Sequence, residues 1–205
     1  MRIPFIAGNW KMYKTISEAR EFACEFKKLY HDTDVRAAIF APYTQLQALK
    51  EELSGSGIGV GAQNVHFEKE GAFTGEISVE MLEELGVDYC LVGHSERRQY
   101  FGETNETVNL KLKALLQSKI LPVVCVGEKL EEREAGKAQS LVSSQVKAAF
   151  SGISGNDACK VTIAYEPVWA IGTGKTATPE QANEMCSCIR ETLTEIYDEE
   201  TADKI

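Results

Sequence analysis

The sequence predicts an α/β fold built on a parallel sheet. Its strand candidates are near-continuous apolar runs rather than alternating ones, the pattern of strands buried on both faces. Each run is followed by a stretch with apolar residues at helical spacing. One strand plus its helix takes roughly 30 to 40 residues, the size of a βαβ unit. At this level a (β/α) barrel and an open doubly wound sheet are both candidates.

The elements follow in order. Phe5-Ile6-Ala7-Gly8-Asn9-Trp10 reads as the first strand. Thr15-Ile16-Ser17-Glu18 offers a capping box, and Ile16, Ala19, Phe22, Ala23, Phe26 and Leu29 mark one face of the helix behind it. Val35 to Ala41 is the second strand, closed by Pro42, and a short helix carries Leu46, Leu49 and Leu53. After Ser54-Gly55-Ser56-Gly57 comes a glycine-rich third strand, Ile58 to Gln63. Residues 64–75 form a long loop containing Gly71-Ala72-Phe73-Thr74-Gly75, and such loops in compact domains are often functional. A helix from about Ser78 to Leu85 ends at Gly86, a natural C-cap.

Tyr89 to Gly93 is the fourth strand, followed directly by His94-Ser95-Glu96-Arg97-Arg98. A helix starting near Thr104 carries Val108, Leu112, Leu115 and Leu116. Leu121 to Gly127 is the fifth strand. Two helical stretches follow, the first to about Gly136 and the second from Gln139 to Phe150, then a loop from Ser151 to Asp157. Val161 to Tyr165 is the sixth strand. Thr178-Pro179-Glu180-Gln181 supplies an N-cap, a proline at the first helical position and a glutamine at the third. Ala182, Met185, Ile189, Leu193 and Ile196 give that last helix its core face.

The 205 residues suffice for one sizeable core, and a single domain over residues 1–205 is expected. Lys plus Arg is 22 against 31 for Asp plus Glu, a net charge of −9, which argues against a general nucleic-acid binder or an anionic membrane surface. A small anionic substrate remains compatible, because a few local donors can hold one phosphate. No apolar run of about 18 residues suggests a membrane span. Met1-Arg2-Ile3-Pro4-Phe5-Ile6 passes straight into a strand and lacks the form of a signal peptide. The six cysteines contain no Cys-x-x-Cys pair. Several lie in apolar runs, where a free thiol behaves as a small hydrophobe, and a reducing cytoplasm is the simplest setting.

In a parallel α/β fold, sites are built at the C-terminal ends of the strands. Polar groups at those ends are Asn9 and Lys11, Gln63 and Asn64, His94 and Glu96, and Glu166. Each has an ordinary alternative: Lys11 a solvated lysine, His94 a hydrogen-bonded structural histidine, Glu96 a surface ion pair with its arginine neighbours, Glu166 a solvated acid. Together, a Lys, a His and a Glu on one rim could hold an anion, polarise a carbonyl and remove a carbon-bound proton. Pro167 stops the ladder at Glu166, and the apolar segment after it, with glycines at its far end, suggests a lid over the acid, its ordinary alternative being a plain loop; Val168, Trp169 and Ile171 are what a water-excluding lid would use. His31 and His66 lie off this pattern. No second ligand stands at metal-binding spacing from His94, and no Gly-x-Gly-x-x-Gly follows the first strand, so neither a metal nor a cofactor is expected. Gly172-Thr173-Gly174-Lys175-Thr176 is superficially similar to a nucleotide phosphate loop, but Trp169 stands where its first glycine is needed.

Four stretches carry a resemblance: Gly8-Asn9-Trp10-Lys11-Met12, Ala41-Pro42, Gly93-His94-Ser95-Glu96-Arg97-Arg98, and Ala164-Tyr165-Glu166-Pro167-Val168-Trp169-Ala170-Ile171-Gly172-Thr173-Gly174-Lys175. With these the chain resembles the triosephosphate isomerase family, from about Phe5 to its last residue. The resemblance implies a (β/α)8 barrel of which about six βα units are present. It implies interconversion of dihydroxyacetone phosphate and D-glyceraldehyde 3-phosphate through an enediol(ate), in glycolysis, gluconeogenesis and the pentose shunt, without a cofactor. Glu166 matches the family's base, His94 its electrophile, and Lys11 the cation that draws the phosphate and stabilises developing charge. Asn9 matches a substrate-binding residue, and Glu96 a supporting carboxylate. The Gly172 N–H is expected to reach the phosphate when the lid closes. Loop 64–75, with Thr74 and Gly75 at its tip, resembles the family's dimer loop and implies a homodimer.

Eight strand–helix units make that barrel and six are counted here, with Asp203-Lys204-Ile205 resembling the first step of a seventh strand. The family's last two units supply most of its phosphate-holding loops. Weak phosphate binding and poor turnover are therefore expected of a molecule ending at Ile205, with strands 1 and 6 as open edges. Two rival readings stand beside this one. One is another sugar-phosphate barrel enzyme, such as an aldolase or epimerase, with Lys11 the strand-end candidate for a Schiff base. The other is an inactive, association-prone barrel fragment.

Overall fold

A computed structural model of the chain describes residues 3–31 and 34–205. Met1 and Arg2 of the N-terminal reading lie outside the described residues. Two compact units emerge, Met1–Leu91 with Ala114–Pro122, and Val92–Lys113 with Val123–Ile205. Among the described residues six strands alternate with helices, and every pairing given below is parallel, as the predicted class requires.

In the first unit, β1 (Phe5–Asn9), β2 (Arg36–Ala41), β3 (Ile58–Ala62) and the start of β4 (Tyr89–Val92) pair in chain order. The register sets Asn9 against Phe40, Ala41 against Ala62, and Ala62 against Cys90. The apolar run of β2 is buried from Ala37 to Ala41. β3 is glycine-rich because aromatic rings occupy the space beside it. A Cβ on Gly61 would lie 2.3 Å from the Phe40 ring, and one on Gly59 would lie 2.6 Å from Tyr89. β1 is the least covered strand of the unit, with Ile6 exposed.

α1 (Ile16–Leu29) begins at the expected capping box: Glu18 N–H donates to Thr15 Oγ1, and Thr15 N–H donates to the Glu18 carboxylate. Its core face is narrower than expected. Ala19 and Ala23 are fully buried, Phe22 and Phe26 half-buried, and Ile16 and Leu29 exposed. Leu29 falls roughly 100° around the helix from the Ala19–Ala23 seam at 3.6 residues per turn, which explains its exposure. α2 (Tyr43–Glu52) packs beside α1, with Leu46, Leu49 and the following Leu53 buried. α3 (Val79–Glu84) is capped by Ser78, whose Oγ accepts from Met81 N–H, and Gly86 takes the expected left-handed conformation at φ +69°.

The second unit contains α4 (Ser95–Tyr100), the first part of α5 (Asn105–Leu115), and β5 (Leu121–Val126) from Val123 onward. α6 (Leu130–Glu134), α7 (Ala138–Ala149), α8 (Gly155–Ala158), β6 (Thr162–Tyr165), α9 (Pro179–Ile196) and α10 (Glu199–Ala202) complete it. β5 and β6 pair with Cys125 opposite Ala164 and Val126 opposite Tyr165. α9 starts at the predicted box of Thr178 and Gln181 and packs along α7, burying Met185, Ile189 and Leu193.

Three short helices depart from the sequence reading. α4 occupies the stretch read only as following the fourth strand, and α8 lies partly inside the expected loop. α10 precedes Asp203-Lys204-Ile205, of which Asp203 and Lys204 form a turn.

Cys90 and Cys125 are buried free thiols, whereas Cys24 and Cys186 are exposed. Burial, with the Glu166 charge adding to it, pushes the Cys125 thiol far up. Reactivity follows exposure and thiolate content. Native alkylation followed by peptide mass analysis should therefore place the first adducts on Cys24 and Cys186. Cys125 should react only after unfolding, and labelling of Cys125 at the rate of Cys186 in the native protein would contradict this burial.

Candidate active site

β6 delivers Glu166 in the way its sequence suggests. Glu166 N–H makes one further ladder bond, to Val126 O at 2.9 Å, and Pro167 then ends the pairing. The carboxylate is half-buried and held at both oxygens. Ser95 Oγ donates to Oε2 at 2.9 Å, and His94 Nε2 lies 3.4 Å from Oε1.

His94 is buried and caps α4. Its Nδ1 accepts from Glu96 N–H at 3.3 Å, and the Glu96 carboxylate lies 3.6 Å from the same nitrogen. An accepting Nδ1 carries no proton, so a neutral ring bears its hydrogen on Nε2, the nitrogen that faces Glu166. Local structure thus aims a donor and a carboxylate at each other beyond the strand ends. A substrate carbonyl placed near Nε2 would receive a hydrogen bond while its α-carbon lies within reach of the acid.

The segment after Glu166 folds as a short turn. Val168–Ala170 form a 3₁₀ turn, and Trp169 is 9% exposed. Its indole N–H donates to Glu128 Oε1 at 2.9 Å, as does the Tyr165 hydroxyl at 3.1 Å, and Arg133 Nη1 lies 3.0 Å away. Burial and the Glu128 charge hold the Tyr165 phenol well above its usual range, so it stays a donor. Gly172 and Gly174 lie exposed at φ +68° and +74°, a left-handed conformation that suits glycine.

Asn9 and Lys11 follow β1 in the first unit. Asn9 Oδ1 accepts from Lys11 N–H at 3.0 Å and from Gln63 Nε2 at 3.1 Å, and Gln63 also donates to Lys11 O at 2.9 Å. These bonds hold Lys11 at φ +53°, an uncommon conformation for a side chain with a Cβ. In the same unit Thr74 and Gly75 sit exposed on loop 64–75, with Gly75 at φ +94°. The loop is ordered from within: the His66 ring contacts those of Phe67 and Phe73, each at 4.4 Å between centroids.

Three of the expected residues, His94, Glu96 and Glu166, are therefore joined by direct contacts in one unit. Sequence reasoning missed Ser95 and Glu128 in the second unit, and it named Gln63 as a strand-end group without foreseeing its bonds to Asn9 and Lys11 in the first. Gln63 had the right position at a strand end, and Ser95 lay inside a quoted motif. Glu128 directly follows the fifth strand's Gly127, and that place was its only signal. No group of three potential metal ligands occurs among the described residues.

A parallel α/β chain with a carboxylate facing an imidazole beyond its strand ends has the groups that proton transfer at a carbon next to a carbonyl requires. Comparison with known proteins is specific. The triosephosphate isomerase family pattern matches residues 4–205. The triosephosphate isomerase of Carboxydothermus hydrogenoformans is 54% identical over 206 residues, covering all of this chain and 82% of the relative. That of Clostridium botulinum strain Langeland is 52% identical over 205 residues and 83% of its length, and that of Lactobacillus gasseri 50% identical over 206 residues and 82% of its length. The chain belongs to the triosephosphate isomerase family, and its fold class is that family's (β/α)8 barrel, of which the described residues form six βα units.

Proposed function

We propose that this chain is a triose-phosphate isomerase, interconverting dihydroxyacetone phosphate and D-glyceraldehyde 3-phosphate. The observation that carries the reading is the 3.4 Å approach of His94 Nε2 to Glu166 Oε1, with Ser95 fixing the carboxylate's other oxygen. The Glu166 carboxylate takes a proton from the carbon next to the carbonyl. His94 Nε2–H donates to the carbonyl oxygen as charge develops there, giving an enediol(ate). The proton then returns to the neighbouring carbon while the hydroxyl on the first carbon gives its proton back to His94 Nε2 and becomes the new carbonyl, so substrate and product are isomers and both residues end as they began. Lys11 is the cation for the phosphate and the developing oxyanion, Asn9 binds beside it, and Glu96 supports the His94 ring. Val168, Trp169 and Ile171 exclude water, and Gly172 N–H meets the phosphate. A dry site strengthens each of these electrostatic terms.

The assignment extends to a single (β/α) domain, a homodimer made through residues 64–75 with Thr74 and Gly75 at the contact, and a cytoplasmic place in glycolysis, gluconeogenesis and the pentose shunt. Exposure of Phe73, Thr74 and Gly75 supports the dimer. The acidic balance of the chain and the lack, among the described residues, of a helix long and apolar enough to cross a membrane fit a small-molecule partner rather than a nucleic acid or bilayer.

The test is an isomerase assay on protein of verified mass. Turnover should survive exhaustive chelation, and borohydride added with substrate should label no lysine. Trapping on Lys11 would instead indicate an aldolase. A folded chain of correct mass without turnover would favour the non-enzymatic reading.

A further inference from the structure

Among the described residues, the only positions with a side chain that take a positive φ are Lys11 at +53° and Lys14 at +70°. They bracket the loop Lys11-Met12-Tyr13-Lys14 on the way from β1 to α1. Packing does not shape this loop, since Met12 is 92% exposed and Tyr13 73%. Hydrogen bonds hold it at both ends instead. At the first end, Asn9 and Gln63 hold Lys11 as described above. At the second, Gln45 of α2 donates from Nε2 to the Lys14 carbonyl. Lys14 Nζ lies 5.3 Å from the Trp10 ring and 5.1 Å from that of Phe22, which steadies the side chain rather than the peptide.

A left-handed backbone is unfavourable for a residue with a Cβ and persists only where the surroundings impose it. Gln45 is placed to impose it. The residue is 3% exposed, and a buried amide needs a partner at each end. Thr44 Oγ1 donates to Gln45 Oε1 at 3.1 Å, so Nε2 is the end that serves a carbonyl. We propose that Gln45 is a positioning residue for the reaction: it holds Lys14 left-handed, fixes the far end of the loop, and so sets where the Lys11 ammonium stands. The inference rests on the role given to Lys11 above.

Gln45→Met keeps the length of the side chain and removes the donor. It should let Lys14 leave the left-handed region, a change read from the φ-sensitive NMR couplings of that residue. KM for dihydroxyacetone phosphate should rise about fivefold with kcat changed less than about threefold, the pattern of weakened uniform binding. The Kd for glycerol 3-phosphate, a phosphate monoester without the carbonyl, should rise in parallel. Glycine takes a positive φ about as readily as a negative one, so Lys14→Gly removes the need for Gln45. The double variant Gln45→Met/Lys14→Gly should therefore return KM and Kd to within about twofold of their native values. A general loss of stability would not be rescued in this way.

A Gln45→Met protein with native Lys14 couplings, or with native KM and Kd once those couplings have changed, would overturn the proposal. So would a double variant that stays impaired, because Gln45 would then act by a route other than Lys14. Should Gln45→Met fail to fold, Gln45→Asn, which withdraws the amide by one methylene, decides by the same readouts, and collapse of both also overturns it. An unmodified chain that binds the monoester without turning over fails the functional reading only. An active chain whose KM and Kd ignore Gln45 fails the positioning role only. A chain that neither turns over nor binds the monoester takes away the role of Lys11, and this proposal with it.

Discussion

Glu166→Gln should abolish isomerisation while leaving the fold intact. General acid–base groups contribute about 10²- to 10⁴-fold, so kcat should fall by at least that range, with KM little changed. The reason is chemical rather than steric. Glutamine matches the volume of glutamate and its amide oxygen can still accept from Ser95 Oγ, a bond now 2.9 Å long. What disappears is the basic lone pair that takes the carbon-bound proton, together with the charge facing His94 Nε2. The side chain is half-buried, so thermal stability should move by no more than about 0.5 to 1 kcal/mol. Two measurements check this: steady-state kinetics, and incorporation of deuterium from solvent into the recovered triose phosphate. Both should drop together. A variant that still exchanges deuterium at the native rate would show that Glu166 is not the base.

The parts of the fold legible in the sequence share a physical cause. β2 and β5 are strong apolar runs because both faces are covered, and α1 and α9 announce themselves with capping boxes that satisfy their own first N–H groups. α4 gives no such sign. Its six residues, Ser95–Tyr100, bury none of their number, and the turn is set instead by His94 as cap and by the grip of Glu103 and Arg98 on Gly93. α8 and α10 are single turns closed by Ser154 and Asp198, residues equally at home in loops. Leu29 misled for the opposite reason: it kept helical spacing but fell beside the buried seam rather than on it.

The site divides in the same way. Glu166 and His94 were visible because a carboxylate and an imidazole ended two different strands. Ser95 was not, since a serine after a strand is an ordinary turn residue and its bond to Glu166 spans 71 positions. Glu128 is the harder case. It is fully buried, which no composition argument would predict for a carboxylate. It survives there because Tyr165, Trp169 and Arg133 all converge on one of its oxygens. Such convergence exists only once β5 and β6 are paired.

Gly127→Ala should damage both stability and rate, through the same atom. A Cβ built on Gly127 would lie 1.9 Å from the carbonyl oxygen of Glu166 and 3.3 Å from Val168 Cγ2. Gly127 cannot easily retreat, because Gln145 grips it at both ends: Gly127 N–H donates to Gln145 Oε1 at 2.9 Å, and Gln145 Nε2 donates to Gly127 O at 3.1 Å. Glu166 must therefore move by about 1 Å, straining its ladder bond to Val126 and the entry to the lid. Overpacking of this kind costs about 1 to 3 kcal/mol, which lowers Tm by roughly 3 to 10 °C in a chain of this size. Displacement of the base should cost up to about a hundredfold in kcat. This separates the variant from Glu166→Gln, which should lose rate without Tm. The two changes act on one carboxylate, so their effects on rate should not add. The double variant should be no slower than Glu166→Gln alone, yet should melt as low as Gly127→Ala. Full additivity in kcat would mean that Gly127 acts on catalysis by some route other than the placement of Glu166. A Gly127→Ala protein with native kcat and Tm would mean that the close approach of β5 to Glu166 is not a constraint at all.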